Sequence, residues 1–570
     1  MTPPVATTAD PPGNPREAAP SAAARWGVSD LTVRYGARTA LEGVTLAVPA
    51  GAVTAVIGGD GAGKTTLLRA LAGVVHPASG RVDRPARRRI GYVAGAAGLY
   101  ADLTVAENVE FVRRGYGLTR EQCRHRLDNL LGRAGLTGTE DRLAGRLSGG
   151  MRQKLAFALA MLHEPDLLIL DEPTTGVDPA SRADLWSLIA GAAAAGAAVV
   201  LSTTYLDEAR RAARIVLLTD GRVQAAGDAG MLEPELRAAS RQMTAGRAAP
   251  ARAATDGAAS PRTAAAGPSA PSRRGAPNQR PLAAAEALVR RFGAVTAVDG
   301  VDLTLHAGEV IGLLGANGAG KTTLIRLLLG LLRPTSGRAL LFGKPPTRAA
   351  RARLGYVPQG LGLWQELTVA ENLSFVAAAF GSPTPALEPA LAEAADTLVR
   401  KLPLGLRRRL AFVAALAHSP ELLVLDEPTS GVGLEARAAL WRTIREAADA
   451  GAGVLVTTHH LDEADECDRL VLMSAGRVVA TGSVAEIVGD GVAVAVAADR
   501  WDEAFAALDE ADLPVALVGR GLRVAGGDLP RVRAALDARQ VAARLSVTPA
   551  TFEETFVRLT RHPDPERTSS

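Results

Sequence analysis

The sequence predicts an α/β fold that is built twice in one chain, and three observations indicate it. Two apolar segments, 53–57 and 309–314, each lead into a glycine-rich loop and then into a helical pattern. The loop lysines, Lys64 and Lys321, are 257 residues apart, and two apolar segments that end in Asp-Glu-Pro-Thr are 255 residues apart. Strand and helix patterns also alternate in each half, which is typical of a largely parallel sheet. The nearly equal offsets indicate a duplicated domain.

The composition indicates a globular chain with a small net charge. Its 570 residues are enough for two to four domains, with 47% hydrophobic and 22% charged side chains. A net charge of +4 is small for this length, so we expect no nucleic-acid partner. Two cysteines, Cys123 and Cys467, are too few for a disulfide framework or a metal site, which favours a reducing cytosol. Because no run of about 18 apolar residues occurs, we expect no membrane-spanning segment.

Changes in composition divide the chain into five segments. We predict a disordered tail over 1–24, a first domain over 25–235, a flexible linker over 236–283, a second domain over 284–487, and a C-terminal α+β region with a tail over 488–570. The start lacks the basic residues and apolar core of a signal peptide. The linker's root-mean-square reach is roughly 35–40 Å, which lets the halves pair within one chain. Its arginines are spread out, which favours a solvated segment over one that binds anionic lipid.

Both glycine-rich loops fit G-x-x-x-x-G-K-[ST], a pattern that binds polyphosphate. The glycines let backbone N–H groups approach the phosphates, and the N-terminus of the next helix adds a favourable dipole. We expect Lys64 and Lys321 to reach the β- and γ-phosphates of ATP, and Thr65 and Thr322 to ligate Mg²⁺. The candidate ATP-binding residues are Gly58, Gly59, Asp60, Gly61, Ala62, Gly63, Lys64, Thr65 and Thr66 in the first loop, and Gly315, Ala316, Asn317, Gly318, Ala319, Gly320, Lys321, Thr322 and Thr323 in the second.

An apolar strand that ends in Asp-Glu follows each loop and suggests a hydrolytic role. Asp171 and Asp426 would help to hold Mg²⁺, and Glu172 and Glu427 would orient or deprotonate the attacking water. An ordinary strand end with a capping carboxylate is the alternative. The repetition at one spacing argues against it.

The segment Leu147-Ser148-Gly149-Gly150-Met151 in the first half resembles the signature motif of ABC-type ATPases. With the loops and Asp-Glu strands, the resemblance covers roughly residues 28–230 and 286–486. It implies two P-loop NTPase domains of the ABC type, each with a helical subdomain, plus the small C-terminal α+β appendage of exporter ATPases. In that family the domains pair head to tail, so that Ser148, Gly149 and Gly150 would grip the γ-phosphate of ATP on the other domain's loop.

Other positions also resemble family motifs. Tyr35 and Phe292 each lie 23 residues before the first glycine of their loop, as does the aromatic residue that stacks on adenine; packing within their own strands is the alternative. Gln359 resembles the glutamine that contacts Mg²⁺ and the water and that reports to a membrane protein. His459 resembles the switch histidine that grips the γ-phosphate, which leaves His460 as an ordinary neighbour.

The halves differ at four of these positions. The first half has Gly95 where the second has Gln359, and Thr204 where the second has His459. The second half has Pro403-Leu404 in place of the signature serine and glycine, and Gly433 in place of Asp178. We define site A as the second half's loop, Gln359, Asp426, Glu427 and His459 with the first half's signature and Asp178. Site B is the converse combination, and all four losses fall there. We therefore predict hydrolysis at site A and slow turnover at site B; neutral drift, with site B still active through Glu172, is the alternative.

The Leu-Thr-Val-Ala-Glu-Asn and Leu-Asp-Glu-Ala runs resemble those of ABC-2-type exporter ATPases, fused here as a tandem of the drug-resistance-like group. This resemblance implies efflux through a separate permease, with the chain bound peripherally at the cytoplasmic face of the membrane. Three alternatives stay open: a tandem ATPase of a sugar or nucleoside importer, a soluble ribosome-associated ABC factor, and an ATP-gated binding protein without turnover.

Overall fold

A six-stranded sheet lies at the centre of each half. In the first half it has the order β5-β6-β7-β3-β8-β9, with β3 (Ala52–Ile57), β5 (Ile90–Val93), β6 (Leu167–Asp171), β7 (Ala198–Thr203), β8 (Arg214–Thr219) and β9 (Arg222–Gly227). The second half repeats it as β14-β15-β16-β12-β17-β18, with β12 (Val310–Gly315), β14 (Leu354–Val357), β15 (Leu422–Asp426), β16 (Gly453–Thr458), β17 (Arg469–Ser474) and β18 (Arg477–Gly482). Neighbouring strands are parallel except the last pair of each sheet. The predicted α/β fold is confirmed.

Each half also contains a three-stranded antiparallel sheet, in which two strands come before the glycine-rich loop in the chain and the third comes after it. Its order is β2-β1-β4 in the first half, with β1 (Ala24–Tyr35), β2 (Arg38–Pro49) and β4 (Ser79–Asp83). The second half has β11-β10-β13, with β10 (Ala283–Phe292), β11 (Val295–Leu305) and β13 (Ser336–Leu341). Tyr35 and Phe292 are therefore the last residues of equivalent strands.

Helices cover both faces of the central sheets, which explains why β6, β12 and β15 are buried along their whole length. The first half contains α1 (Lys64–Leu71), α2 (Val105–Tyr116), α3 (Arg120–Ala134), α4 (Gly149–Met161), α5 (Pro179–Ala194) and α6 (Leu206–Ala209). The second contains α7 (Lys321–Leu328), α8 (Arg348–Arg351), α9 (Val369–Phe380), α10 (Pro389–Ala392), α11 (Leu404–Leu416) and α12 (Leu434–Asp449). Helices α2–α4 and α9–α11 form the predicted helical subdomains, and α10 is much shorter than its counterpart α3.

The C-terminal region is a separate small sheet with helices. Strands β19 (Val492–Ala497), β20 (Val515–Val518), β21 (Gly521–Ala525) and β22 (Arg544–Pro549) pair in the antiparallel order β20-β21-β19-β22. The helices are α14 (Trp501–Glu510), α15 (Leu529–Ala538) and α16 (Phe552–Arg561), and α13 (Val484–Val488) leads into them. The apolar core of this region, which includes Phe505 and Leu508, is continuous with the core of the first half around α5.

This computed structural model describes residues 24–59, 61–95, 97–228, 231–232, 280–430 and 434–561. The predicted N-terminal tail up to residue 23, nearly all of the linker, Asp60, Gly433 and the last nine residues lie outside the described residues. Within the described ranges, no helix is both long enough and apolar enough to cross a bilayer.

Candidate nucleotide sites

The two glycine-rich loops have the same geometry around a buried lysine. Lys321 Nζ donates to the carbonyl oxygens of Gly315 at 2.7 Å and Ala316 at 3.1 Å, and Lys64 does the same with its own loop. Gly320 precedes α7 with a φ of 101°, and a Cβ at that position would lie 2.2 Å from the carbonyl oxygen of Ala297. Only glycine tolerates both the left-handed conformation and this contact. The loop therefore keeps the shape that a polyphosphate requires at a helix N-terminus.

A hydroxyl and a carboxylate meet beside each loop. Thr322 Oγ1 donates to Asp426 at 3.0 Å, and Thr65 Oγ1 donates to Asp171 at 3.2 Å. The described residues contain no group of three His, Cys, Asp or Glu side chains that could hold a metal by themselves. Such a pair of oxygen ligands fits Mg²⁺, which is usually bound by one or two protein ligands together with phosphate oxygens and water.

Two hydroxyls that the sequence reasoning missed hold the Asp-Glu segments in place. Thr457 on β16 donates to Asp426 at 2.7 Å and accepts from the backbone N–H of Glu427 at 2.8 Å. Ser202 on β7 makes the same two contacts with the first half's Asp-Glu pair. Both residues come shortly before the switch position, and their equivalent places in the two repeats are the signal that would have identified them.

The two glutamates differ in what holds their carboxylates. Glu427 Oε2 accepts from Gln359 Nε2 at 3.2 Å and lies 3.6 Å from His459 Nδ1. Glu172 instead forms an ion pair with Lys64 at 3.4 Å and accepts from Thr175 at 3.3 Å. The difference follows from the sequence, because Gly95 and Thr204 supply neither an amide nor an imidazole.

The charges around site A favour an ionised Glu427. Burial opposes its ionisation, but the imidazole of His459, then Lys321 and Gln359, bring the pKa of this carboxyl below its ordinary value. His459 is almost fully buried, and its Nε2 has no hydrogen-bond partner among the described residues. A buried, unpaired ring nitrogen beside the loop is the feature expected of a group that contacts a phosphate.

The signature segments also differ between the halves. Ser148 is the N-cap of α4, and its side chain accepts from the backbone N–H of Met151 at 3.2 Å. Pro403 occupies the N-cap of α11 and has no such hydrogen bond. This hydrogen bond lies within the first half, and the approach of Ser148 to the second half's loop remains a prediction. Tyr35 and Phe292 are 49% and 46% exposed, and the guanidinium carbon of Arg290 lies 4.5 Å from the centre of the Phe292 ring, over one of its faces.

The two halves approach each other at the N-cap of α5 and at the residues that follow β7 and β16. Burial lowers the pKa of Lys321, and the carboxylates of Glu427, Asp178 and Asp426 oppose this shift, so the first half's Asp178 acts on the second half's loop. The ring of Tyr205 stacks on that of His460, with the ring centres 5.5 Å apart. The view of His460 as an ordinary neighbour is therefore incomplete, because this residue contacts the other half.

Comparisons with known proteins agree with this geometry. The sequence profile of the family described as ABC transporter matches residues 41–175 and 298–430. The chain is 34% identical over 514 residues to the "Probable multidrug ABC transporter ATP-binding protein YbhF" of Escherichia coli (strain K12), covering 76% of this chain and 89% of that protein. This chain belongs to the ABC transporter family. It is an ABC-type ATPase with two ATP-binding domains in tandem, of the kind that serves as a transporter's ATP-binding subunit.

Other similar proteins agree with the family or with the fold. A "Putative ABC transporter ATP-binding protein" of Streptomyces avermitilis is 32% identical and covers 80% of this ABC chain and 94% of its own. The "Nod factor export ATP-binding protein I" of Burkholderia lata is 38% identical over 48% of this chain and 94% of its own. The archaeal ribosome recycling factor aABCE1, in complex with the stalk protein aP1, has a TM-score of 0.59 over 90% of this chain and 98% of its own. At 20% identity, that last likeness concerns the fold alone.

Proposed function

We propose that this chain drives efflux through a separate permease at the cytoplasmic face of the membrane, hydrolysing ATP at site A and holding ATP at site B. Two relatives support the export assignment through their names, one a probable multidrug transporter subunit and one a Nod factor export subunit. The observation that carries the division of labour is the difference in what holds Glu427 and Glu172.

At site A, Glu427 orients the attacking water and accepts its proton, and Gln359 and His459 fix the carboxylate for this task. Lys321 and the loop N–H groups offset the negative charge of the transferred phosphate. Thr322 and Asp426, together with Gln359, would hold Mg²⁺, which would neutralise phosphate charge when bound. At site B, Glu172 is held against the loop lysine by the ion pair with Lys64, so it is poorly placed to act on water.

Head-to-tail pairing of the halves completes the proposal. The effect of Asp178 on Lys321 supports it, since that carboxylate belongs to the first half and the lysine to the second. ATP binding would close the halves onto the two nucleotides, closure would move the permease, and hydrolysis at site A would reopen them.

Two matched substitutions, Glu427→Gln and Glu172→Gln, test the division of labour. Steady-state ATP hydrolysis by the full chain, alone and with its permease, should fall about a hundredfold or more for Glu427→Gln, which is on the order of 3 kcal/mol of barrier. Glu172→Gln should change the rate by less than about twofold.

Each other outcome has a definite meaning. Equal losses in the two variants would show that both sites hydrolyse ATP and that the asymmetry is neutral drift. An unaltered rate in Glu427→Gln would remove the catalytic role of that residue. A complete lack of hydrolysis by the unaltered chain with its permease would favour an ATP-gated binding protein.

A further inference from the structure

Tyr205 and His460 occupy equivalent positions in the two halves and meet at the contact between them. Each follows the switch position of its half, Thr204 or His459. Their ring centres are 5.5 Å apart with an angle of 30° between the planes, and they are 9% and 1% exposed. A stacked aromatic pair that is this well buried keeps its geometry better than a contact at a wet surface.

Two arginines from equivalent positions on α5 and α12 converge on Tyr205. The guanidinium carbons of Arg182 and Arg437 lie 5.5 and 5.3 Å from the centre of its ring. Arg182 pairs with Glu208 at 3.6 Å, and Arg437 pairs with Asp462 at 2.8 Å. Because both cations face one phenol ring in a buried position, the ring has favourable contacts on several sides and little freedom to move.

The contact continues from His460 to the catalytic carboxylate. The ring centres of His460 and His459 are 4.2 Å apart, and His459 Nδ1 lies 3.6 Å from Glu427. Neither ring nitrogen of His460 has a hydrogen-bond partner among the described residues. Ring packing, chiefly against Tyr205 and His459, therefore sets the orientation of His460.

This arrangement acts in one direction only. In the first half, Thr204 occupies the position equivalent to His459. The first half therefore has no imidazole at this position that could pass support from His460 and Tyr205 to Glu172. The first half thus supports the second half's catalytic group through rings, and the second half offers no equivalent support in return.

We propose that Tyr205 is a positioning residue for ATP hydrolysis at site A, because its ring holds His460 and thereby fixes His459 beside Glu427. The inference rests on the proposed function, since it presumes that site A is the hydrolytic one. It makes the catalytic geometry of the second half depend on a docked first half.

The test compares Tyr205→Ala with Tyr205→Phe in the full chain. Tyr205→Ala should lower kcat for ATP hydrolysis about tenfold or more while KM for ATP changes by less than about twofold, because the loop and signature that bind ATP are untouched. Tyr205→Phe keeps the ring and should restore kcat to within about threefold of the unaltered chain. Tyr205→Leu fills much of the same volume without an aromatic face and should lower kcat as Tyr205→Ala does. It keeps the test valid if Tyr205→Ala fails to fold.

Tyr116→Ala is a matched control. Tyr116 also stacks on a histidine, His163, with ring centres 3.7 Å apart, but this pair lies within the first half. Its removal should reduce thermal stability without a change in kcat of the folded protein. Loss of kcat in Tyr205→Ala that is no greater than in this control, or no recovery with Tyr205→Phe, would overturn the proposal.

Glu427→Gln measured in parallel separates the two hypotheses. A loss of activity in Glu427→Gln with normal activity in Tyr205→Ala would reject the positioning role and keep the proposed function. Normal activity in Glu427→Gln would reject both.

Discussion

Both catalytic-position glutamates adopt a backbone conformation that non-glycine residues rarely use. The φ angles are 48° at Glu172 and 53° at Glu427, and such conformations cost of order 1–3 kcal/mol. The hydroxyls of Ser202 and Thr457 hold the backbone there by accepting the N–H of each glutamate. The strain is thus present in both halves, which means that the asymmetry lies in the side-chain partners and not in the backbone.

His163 gives a prediction at the level of one residue. It is buried against Tyr116, and its Nε2 lies 3.0 Å from the carbonyl oxygen of Ile90. Burial lowers the pKa of this imidazole to about 4. Between its ordinary pKa near 6.5 and this value, the unfolded chain binds the proton and the folded chain does not, so stability falls as the pH falls.

We expect the free energy of unfolding to drop by about 2–3 kcal/mol between pH 6.5 and 4 because of this residue, at about 1.36 kcal/mol per pKa unit. Urea unfolding of the full chain and of His163→Phe at several pH values would measure it, and the variant should lose that part of the slope. His125→Phe, at an exposed position of α3, is the control. The same slope in His163→Phe and the unaltered chain would contradict the prediction.

Helices α2 and α9 each present an exposed aromatic pair at equivalent positions. Tyr100 stacks edge-on against Phe111 at 4.7 Å, and Trp364 against Phe375 at 5.8 Å, with all four side chains about half exposed. Asn108 and Asn372 fasten the loop that carries the first ring of each pair to its helix. Two equivalent apolar patches suit a partner that has two similar contact surfaces, which fits the proposed permease.

We expect the double variant Phe111→Ser with Phe375→Ser to lose most of its binding to membrane vesicles from the host, with ATP hydrolysis in solution unchanged. Sedimentation with stripped vesicles measures the binding, and protease-treated vesicles and protein-free liposomes show whether protein or lipid is bound. Val74→Ser with Leu331→Ser is the control, because these are also exposed apolar residues at equivalent positions. Equal binding by both double variants would exclude the aromatic pairs as the docking site.

The C-terminal region links the halves at the scale of the whole molecule. It follows the second half in sequence, yet its core packs on α5 of the first half. Arg133 pairs with Asp509 at 3.2 Å, Arg211 pairs with Glu553, and the backbone N–H of Gly519 donates to Arg210 at 3.1 Å. Each large apolar side chain buried in this contact contributes roughly 1.5–3 kcal/mol. The residues named in this contact all lie outside the predicted linker.

We therefore expect the halves to stay together after the predicted linker is cut. A protease site inserted between residues 240 and 275 would allow the cut, and gel filtration without ATP should show one species. In the cut chain, Arg133→Glu with Arg211→Glu should weaken the association, and adding Asp509→Arg with Glu553→Arg should restore it. Separation of the unaltered halves after cutting would show that the linker alone holds them.

The fold class was predicted correctly, and the site motifs could be proposed, because both depend on local features of the sequence. Lys321, Asp426 and His459 belong to segments whose spacing and flanking apolar runs are visible in the chain itself. The roles of Ser202 and Thr457 were not predicted, because a hydroxyl on a buried strand has no distinctive local sequence pattern. Only the register of neighbouring parallel strands brings it against the Asp-Glu segment.

The sequence by itself determined the duplication, the two phosphate loops and the loss of Gln359 and His459 equivalents from the first half. Tertiary structure decided which groups hold each glutamate, the stacking of Tyr205 on His460, and the docking of the C-terminal region on α5. The physical reason is that motifs depend on residues adjacent in the chain, whereas these contacts join residues that are far apart in the chain, 68 positions for Gln359 and Glu427 and more for the others. Their formation depends on tertiary packing within each half and between the halves, which no local pattern encodes.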